Sequence, residues 1–432
     1  MKKELNGVTL PHHKFTENSA VQKFPSPTEV TLPMKMHIGK AAKVAVGVGD
    51  RVCIGDIVGI ADGRFSSNVH ATVSGVVSEL REVILPDGAE VAAVKIKSDG
   101  EDRLSVRCVP PKIRKRSEFV EALFSSGIVG LGGAGFPTHV KYDIGEKRFD
   151  TLIVNCAECE PYITSDTHTA RASIEYIRHA VNTVRKLYGD VRVIFACEKK
   201  SGLERWAEKA VPHMNCELRT LKKRYPQGAE KVMIYHTTGR VVHVGQLPID
   251  VGCIVSNVST LAEIGKYLRT GIPLVRRRVT LDGDAMLCPT VLDVPIGTKL
   301  SSVFEWCGGF KASVGKILFG GPMMGVAVYS EGITILKNVN AVTVYSKNTA
   351  ELPDPSPCIR CASCLRNCPV SIDSAAVGRA VRAGDYVTAR YLGIEACMEC
   401  GCCSYVCPAK ISLTENNKNI KRELRRRLNG EV

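Results

Sequence analysis

No stretch of this chain approaches the roughly 18–20 consecutive apolar residues that a membrane-spanning helix needs. The apolar runs at 151–154 and 191–196 are short and read as buried strands, so the chain is not expected to span a membrane. Its first ten residues carry three charges and no apolar core, which argues against secretion and for a cytoplasmic site. Aromatic residues are scarce, at 6%, and none is interleaved with the basic clusters, so nucleic acid is not an expected partner. Acidic residues are outnumbered: 44 Asp and Glu against 58 Lys and Arg give a net charge of +14, compatible with an anionic membrane face or an acidic protein partner. The length of 432 residues is too great for one compact domain and suggests several in series.

Cysteine, by contrast, is plentiful. Eighteen would suit a disulfide framework in a small secreted protein, but in a chain of this size without a signal segment, metal ligation and free buried thiols are the better readings. Cys358-x2-Cys361-x2-Cys364-x3-Cys368-Pro369 recurs as Cys397-x2-Cys400-x2-Cys403-x3-Cys407-Pro408, an internal duplication with an offset of 39 residues. Three thiolates at this spacing wrap one iron–sulfur cube, and the fourth, beyond a proline turn, points at the other. The expected crossed ligation is Cys358, Cys361, Cys364 and Cys407 for one [4Fe-4S] cluster, and Cys397, Cys400, Cys403 and Cys368 for the second. Structural zinc is the bland alternative, but it usually takes two separated Cys-x2-Cys pairs. Cys402 is off the spacing and is read as a free thiol. Two such clusters conduct single electrons and do no chemistry alone.

The fold class expected is multidomain α/β and α+β. Residues 28–98 are rich in Val, Gly and short alternating runs, an all-β pattern with tight turns. It resembles the barrel-sandwich fold of lipoyl and biotinyl carrier domains, and this unit is placed at 1–105. A carrier role is rejected, despite Met34-Lys35-Met36, because the hairpin that would bear the modified lysine reads Asp62-Gly-Arg-Phe-Ser-Ser-Asn68. From about Ser117, helical stretches alternate with β-rich runs, giving an α/β domain at 115–272. A smaller unit follows at 273–330, with a strand at 278–282 and a helix at 300–307. Three prolines within 353–357 mark a linker, set at 331–356, before a cysteine domain at 357–432.

Gly130-Leu-Gly-Gly-Ala-Gly-Phe-Pro-Thr-His-Val-Lys141 offers glycine backbone for close approach to a phosphate and a lysine charge, although a tight structural turn reads equally well. One strand later comes Asn155-Cys-Ala-Glu158-Cys-Glu160-Pro161, polar residues at a strand's carboxyl end, where α/β sheets bind ligands. With Tyr225-Pro-Gln-Gly-Ala-Glu230 and Val255-Ser-Asn-Val-Ser-Thr260, these segments look like the flavin-binding core of the NADH-oxidising flavoprotein subunit of complex I. Their order, with the β unit in front and the cysteine repeat behind, resembles the C subunits of Rnf electron-transport complexes; His37-Ile-Gly39, Thr164-Ser-Asp166 and Gly320-Gly-Pro-Met-Met-Gly325 fit that family too.

The resemblance implies non-covalent FMN, held by Gly130, Gly132, Gly133, Lys141, Asn155, Asn257 and Thr260, with Glu158, Glu160, Gly228 and Glu230 beside the flavin or the nicotinamide of NAD(H). It makes 273–330 a β-grasp module of the soluble-ligand-binding type, serving as a spacer. Ser259 departs from the complex I relative, which has an acid there. Cys156 and Cys159 have the spacing of a redox pair, but the resemblance gives this strand to cofactor binding. The implied role is that of a peripheral subunit on the cytoplasmic side of the cell membrane, within a complex that moves electrons between NAD(H) and ferredoxin, reached indirectly, and couples them to ion transport. The alternative is a soluble flavin and iron–sulfur reductase feeding proline reductase or cobalamin. The end of the chain, from Ser412-Leu-Thr-Glu415 through Lys418, Lys421, Arg422 and Arg425 to Arg427, reads as a capped basic helix that is either a solvated face or a contact for anionic lipid or an acidic partner.

Overall fold

The computed structural model describes residues 4–428. Two antiparallel sheets form the front unit. The first runs in the order Glu29–Pro33, Glu90–Ser98, Gly75–Ile84, Arg51–Val52; the second in the order Lys43–Val44, Ile57–Ile60, Val69–His70. Alternation places Val30, Leu32, Val58, Val77, Val94 and Ile96 between them, all fully buried. Met34 and Met36 are buried in the same core, so the tripeptide that mimics a biotinylation site does not lie on a hairpin tip. The hairpin at 62–68 instead leans on the glycine loop: Phe65 meets Phe136 edge-on at 6.3 Å, and the Arg64 carbonyl is 2.8 Å from His139 Nε2.

A parallel sheet in the order Glu217–Leu221, Arg192–Glu198, Thr151–Cys156, Cys253–Asn257 builds the α/β unit. Period-two alternation sends Leu152, Val154 and Phe195 to one face, against Ile177, Val181 and Val184 of helix Ile174–Tyr188. Ile153, Ala196 and Val255 go to the other, against Met233 and Ile234 of helix Glu230–Thr238. Both faces are covered, as a parallel sheet requires.

Two expected boundaries differ from what the chain does. The stretch 331–356, expected as a linker, contains strand Ala341–Ser346, which lies inside a six-stranded sheet between Arg276–Asp282 and Val314–Phe319. The prolines mark only the end of that stretch, and the β-branched run before them is a buried strand. Residues 4–24, expected in the β unit, pair outside its two sheets: Val8 bridges to Tyr225, and Val21–Lys23 pairs with Thr290–Pro295 at the edge of the six-stranded sheet. Apolar residues of this strap find partners there: Val8 packs with Tyr225, and Phe24 meets Trp306 edge-on at 5.5 Å. The cysteine region is helical, with Ser374–Arg382, Tyr386–Tyr391 and Leu413–Leu428 as its longer pieces. Among the described residues no helix is long and apolar enough to cross a membrane.

Candidate functional site

The glycine loop sits at the carboxyl ends of the parallel strands. Gly132, Gly133 and Ala134 are exposed, whereas Leu131 is buried and pinned at both its amide and its carbonyl. Its amide donates to Thr260 Oγ1 at 2.9 Å, and its carbonyl accepts from Arg277 Nη2, a fully buried guanidinium on the six-stranded sheet. Asn338 Nδ2 donates to the Gly133 carbonyl at 3.0 Å, and the Gly135 carbonyl accepts from the Ile38 amide at 3.0 Å. A β-carbon on Gly132 would come within 3.3 Å of Asn257 Nδ2, so a side chain there would fill the space over the loop. Exposed glycine backbone, clamped from behind, fits a phosphate-bearing cofactor such as FMN.

Asn257 and Thr260 belong to the start of helix Val258–Thr270. Asn257 Oδ1 caps it, accepting from the Ser259 and Thr260 amides at 3.0 and 3.1 Å. Its Nδ2 donates to Asp166 Oδ2 at 2.6 Å, and Ser259 Oγ donates to Asp166 Oδ1 at 2.5 Å. The serine at 259 thus has a physical reason. Asp166 supplies a carboxylate to this spot, and an acid at 259 would set two carboxylates against each other. Asn155 Nδ2 donates to the Gly228 carbonyl at 2.9 Å, and a β-carbon on Gly228 would meet the Ala157 carbonyl at 2.7 Å. Lys141, expected as a free phosphate ligand, is tied to Glu230 at 3.0 Å and to the Val255 carbonyl at 2.7 Å. The pair is only part-exposed, and Glu230 balances the charge the loop was expected to offer.

Glu158 and Glu160 are each held by two donors. Glu158 accepts from the Asp166 amide and the Thr167 hydroxyl, both at 2.8 Å. Glu160 accepts from the amides of Met323 and Met324 at 3.1 and 2.8 Å. Burial lifts both carboxyls to about 7, and likewise Glu198. Behind them the strap closes a cavity of about 30 Å³, lined in part by His12, Lys14, Glu158, Glu160, Glu198 and Tyr225. That holds a water or so, not a nucleotide. Lys14 Nζ donates to the carbonyls of Glu158 and Ile163, locking the strap across the strand end. Cys156 lies in the main core and Cys159 in a separate cluster with Tyr225, so the two thiols do not face each other. Arg277, Asn338 and Lys14 carry no motif signal, and only the fold brings them here.

The second cysteine loop is seated on this unit. Cys400 and Cys402 pack with Val8 and Tyr225, with Cys159 and Met323 alongside. Cys402 Sγ is 3.8 Å from the Tyr225 carbonyl. Thiols of the two motifs lie together: Cys364 shares one apolar cluster with Cys403 and Cys407, and Cys368 and Cys397 border another. An all-sulfur donor set of this kind suits iron–sulfur cubes. Among the described residues no three His, Cys, Asp or Glu close around one ion position. A cube, with a thiolate at each iron corner, holds its ligands further apart than a single ion does. Cys358 is exposed and Cys361 half-buried, whereas Cys400 and Cys403 are buried.

Three family models match the chain: an RnfC barrel sandwich hybrid domain over residues 3–101, a Nuo51 FMN-binding domain over 123–266, and a 4Fe-4S dicluster domain over 355–411. Among curated relatives, the C subunit of the Na(+)-translocating ferredoxin:NAD(+) oxidoreductase complex of Acetobacterium woodii is 37% identical over 80% of this chain and 80% of its own length. The C subunit of the proton-translocating ferredoxin:NAD(+) oxidoreductase complex of Clostridium ljungdahlii is 35% identical over 83% of this chain and 80% of its own length. The C subunit of the ion-translocating oxidoreductase complex of Rhodobacter capsulatus is 33% identical over 89% and 75% respectively.

Proposed function

The chain belongs to the RnfC family, the C subunits of ion-translocating oxidoreductase complexes, and on that premise we propose that it carries electrons between NAD(H) and ferredoxin. It does so as a peripheral subunit on the cytoplasmic side of a membrane, with other subunits supplying the ion path and the route to ferredoxin. The observation that carries this reading is the seating of the second cysteine loop on Tyr225 and Met323, at the back of the glycine-loop site. A flavin when bound accepts a pair of electrons as hydride and releases them singly, matching a two-electron donor to one-electron clusters.

The chain's own residues bind and align. Gly130, Gly132 and Gly133 receive the FMN phosphate with backbone, while Asn155, Asn257 and Thr260 fix the loop and strand ends around it. Lys141 acts as a pair with Glu230, and Glu158, Glu160 and Gly228 shape the wall toward the nicotinamide and the cysteine loop. Cys358, Cys361, Cys364 and Cys407 would hold one [4Fe-4S] cluster, and Cys368, Cys397, Cys400 and Cys403 the other, on the loop that packs with Tyr225. Both relatives named for a ferredoxin:NAD(+) oxidoreductase favour this client, and they lend no support to a soluble reductase for proline reductase or cobalamin. The test is an anaerobic preparation followed by visible spectra on addition of NADH. Flavin bleaching followed by cluster bleaching is expected; a preparation without flavin, or one inert to NADH, would sink the proposal.

A further inference from the structure

The cysteine duplication extends into the helices that follow each motif, and there the copies diverge. With the same offset of 39, Ala375 and Gly378 of helix Ser374–Arg382 correspond to Thr414 and Asn417 of helix Leu413–Leu428. Ala375 packs beside Cys364 with no polar group, whereas Thr414 Oγ1 is 3.5 Å from Cys403 Sγ. The other position differs more, by a fully buried amide. Asn417 is 1% exposed, and its Nδ2 donates both to Cys397 Sγ at 3.6 Å and to Ser374 Oγ at 3.0 Å. One turn on, Lys421 turns inward and donates to the Cys397 carbonyl at 2.8 Å and to Glu399 at 2.6 Å, fixing the loop that carries this sulfur. Gly378, where Asn417 would stand in the first copy, has no side chain to donate to Cys358.

Donors aimed at a cluster's sulfurs favour the reduced, more negative state and raise its potential. We infer that Asn417 sets the reduction potential of the cluster held by Cys397, Cys400, Cys403 and Cys368, the first copy having no side-chain donor at the matching position. This inference rests on the proposed cluster ligation and adds a residue outside the ligand set. The first copy has a hydroxyl of its own, Ser363 Oγ at 3.5 Å from Cys361 Sγ, so the difference between the copies lies in the buried amide, on the copy whose Cys400 packs with Tyr225.

The test is an EPR-monitored redox titration of the full chain, with each signal assigned by its loss in Cys361→Ser or Cys400→Ser. Asn417→Ala is expected to change the reduced-to-oxidised ratio of the second cluster about tenfold toward oxidised at fixed potential, a shift of about 59 mV for one electron. The first cluster should not move. Gly378→Asn supplies the reciprocal variant: a β-carbon there meets only the end of Arg382 at 3.6 Å, and the change is expected to raise the potential of the first cluster. An unshifted potential with the cluster retained, in either variant, overturns the inference. If Asn417→Ala sheds its cluster, Gly378→Asn decides alone, a raised potential supporting and an unchanged one overturning. An unmodified chain without cluster signals would instead overturn the proposed function.

Discussion

The cysteine unit and the glycine-loop unit hold their redox groups by opposite means. The cysteine unit draws all its ligands from one stretch of chain, and its apolar core is slight: Ile372, Val377, Ala389, Ile394, Ile420 and Leu424, with the thiols themselves filling much of the rest. The glycine loop is held from far along the chain, by Ile38, Thr260, Arg277 and Asn338, and one continuous apolar core runs behind it through the barrel, the α/β unit and the six-stranded sheet. The first unit therefore depends on its metal for its stability, and the second on packing before any cofactor arrives.

The sharpest way to break this contrast is Cys368→Ser. Cys368 belongs by sequence to the first motif but borders the same apolar cluster as Cys397, so the variant should lose the second cluster and keep the first. Iron should fall from about eight to about four per chain, and the surviving EPR signal should be the one that Cys361→Ser removes. Loss of the other signal would refute crossed ligation. Hydrogen exchange should show the protection lost to be confined to the cysteine unit.

Arg277→Met tests the opposite side. The guanidinium is fully buried and donates to the Leu131 carbonyl; burial lowers its pKa to about 10, with the charge of Asp166 pulling the other way. Removing it takes the charged donor from the Leu131 carbonyl and a nearby positive charge from Asp166, a loss of about 3 kcal/mol by urea unfolding, with FMN content falling in step. Full retention of both would mean that the loop does not need its anchor in the six-stranded sheet.

Glu198 gives a pH signature. Burial raises its carboxyl from 4.5 to about 7, with Lys14 and Lys223 pulling the other way. A raised carboxyl contributes stability that is complete below about 4.5 and is lost as the pH climbs through about 7. Against Glu198→Gln, which does not titrate, the unmodified chain should lose on the order of 2–3 kcal/mol between pH 5 and pH 8. A constant gap in thermal midpoint across that range would contradict the assignment.

The two regions were also unequally legible. The two-cluster character of the cysteine unit was readable because spacing along a short loop dictates geometry, and two strands of the α/β unit were readable from short apolar runs: 151–154 falls within Thr151–Cys156, and 191–196 overlaps Arg192–Glu198. What could not be read was long-range. The inward turn of Glu160 toward Met323, the spending of Lys141 on Glu230, and the exit of the first residues from the barrel all depend on partners distant in sequence. Strand Ala341–Ser346 was hidden by nearby prolines, although its β-branched run carried the signal.

The smallest expected effect separates the loop's shape from its chemistry. Thr260→Val keeps the volume and the β-branch but removes the hydroxyl that accepts from the Leu131 amide at 2.9 Å. Thr260 is buried at 4% exposure, so water does not easily replace the lost acceptor. A buried amide left unpaired costs about 1–2 kcal/mol, less than losing Arg277 because no charge is stranded. Thr260→Ser, which keeps the acceptor, should recover most of it. If Thr260→Val weakens FMN retention while unfolding at the same urea concentration as the unmodified chain, the hydroxyl acts on the cofactor itself. If stability and retention fall together and serine restores both, the residue acts by holding the loop.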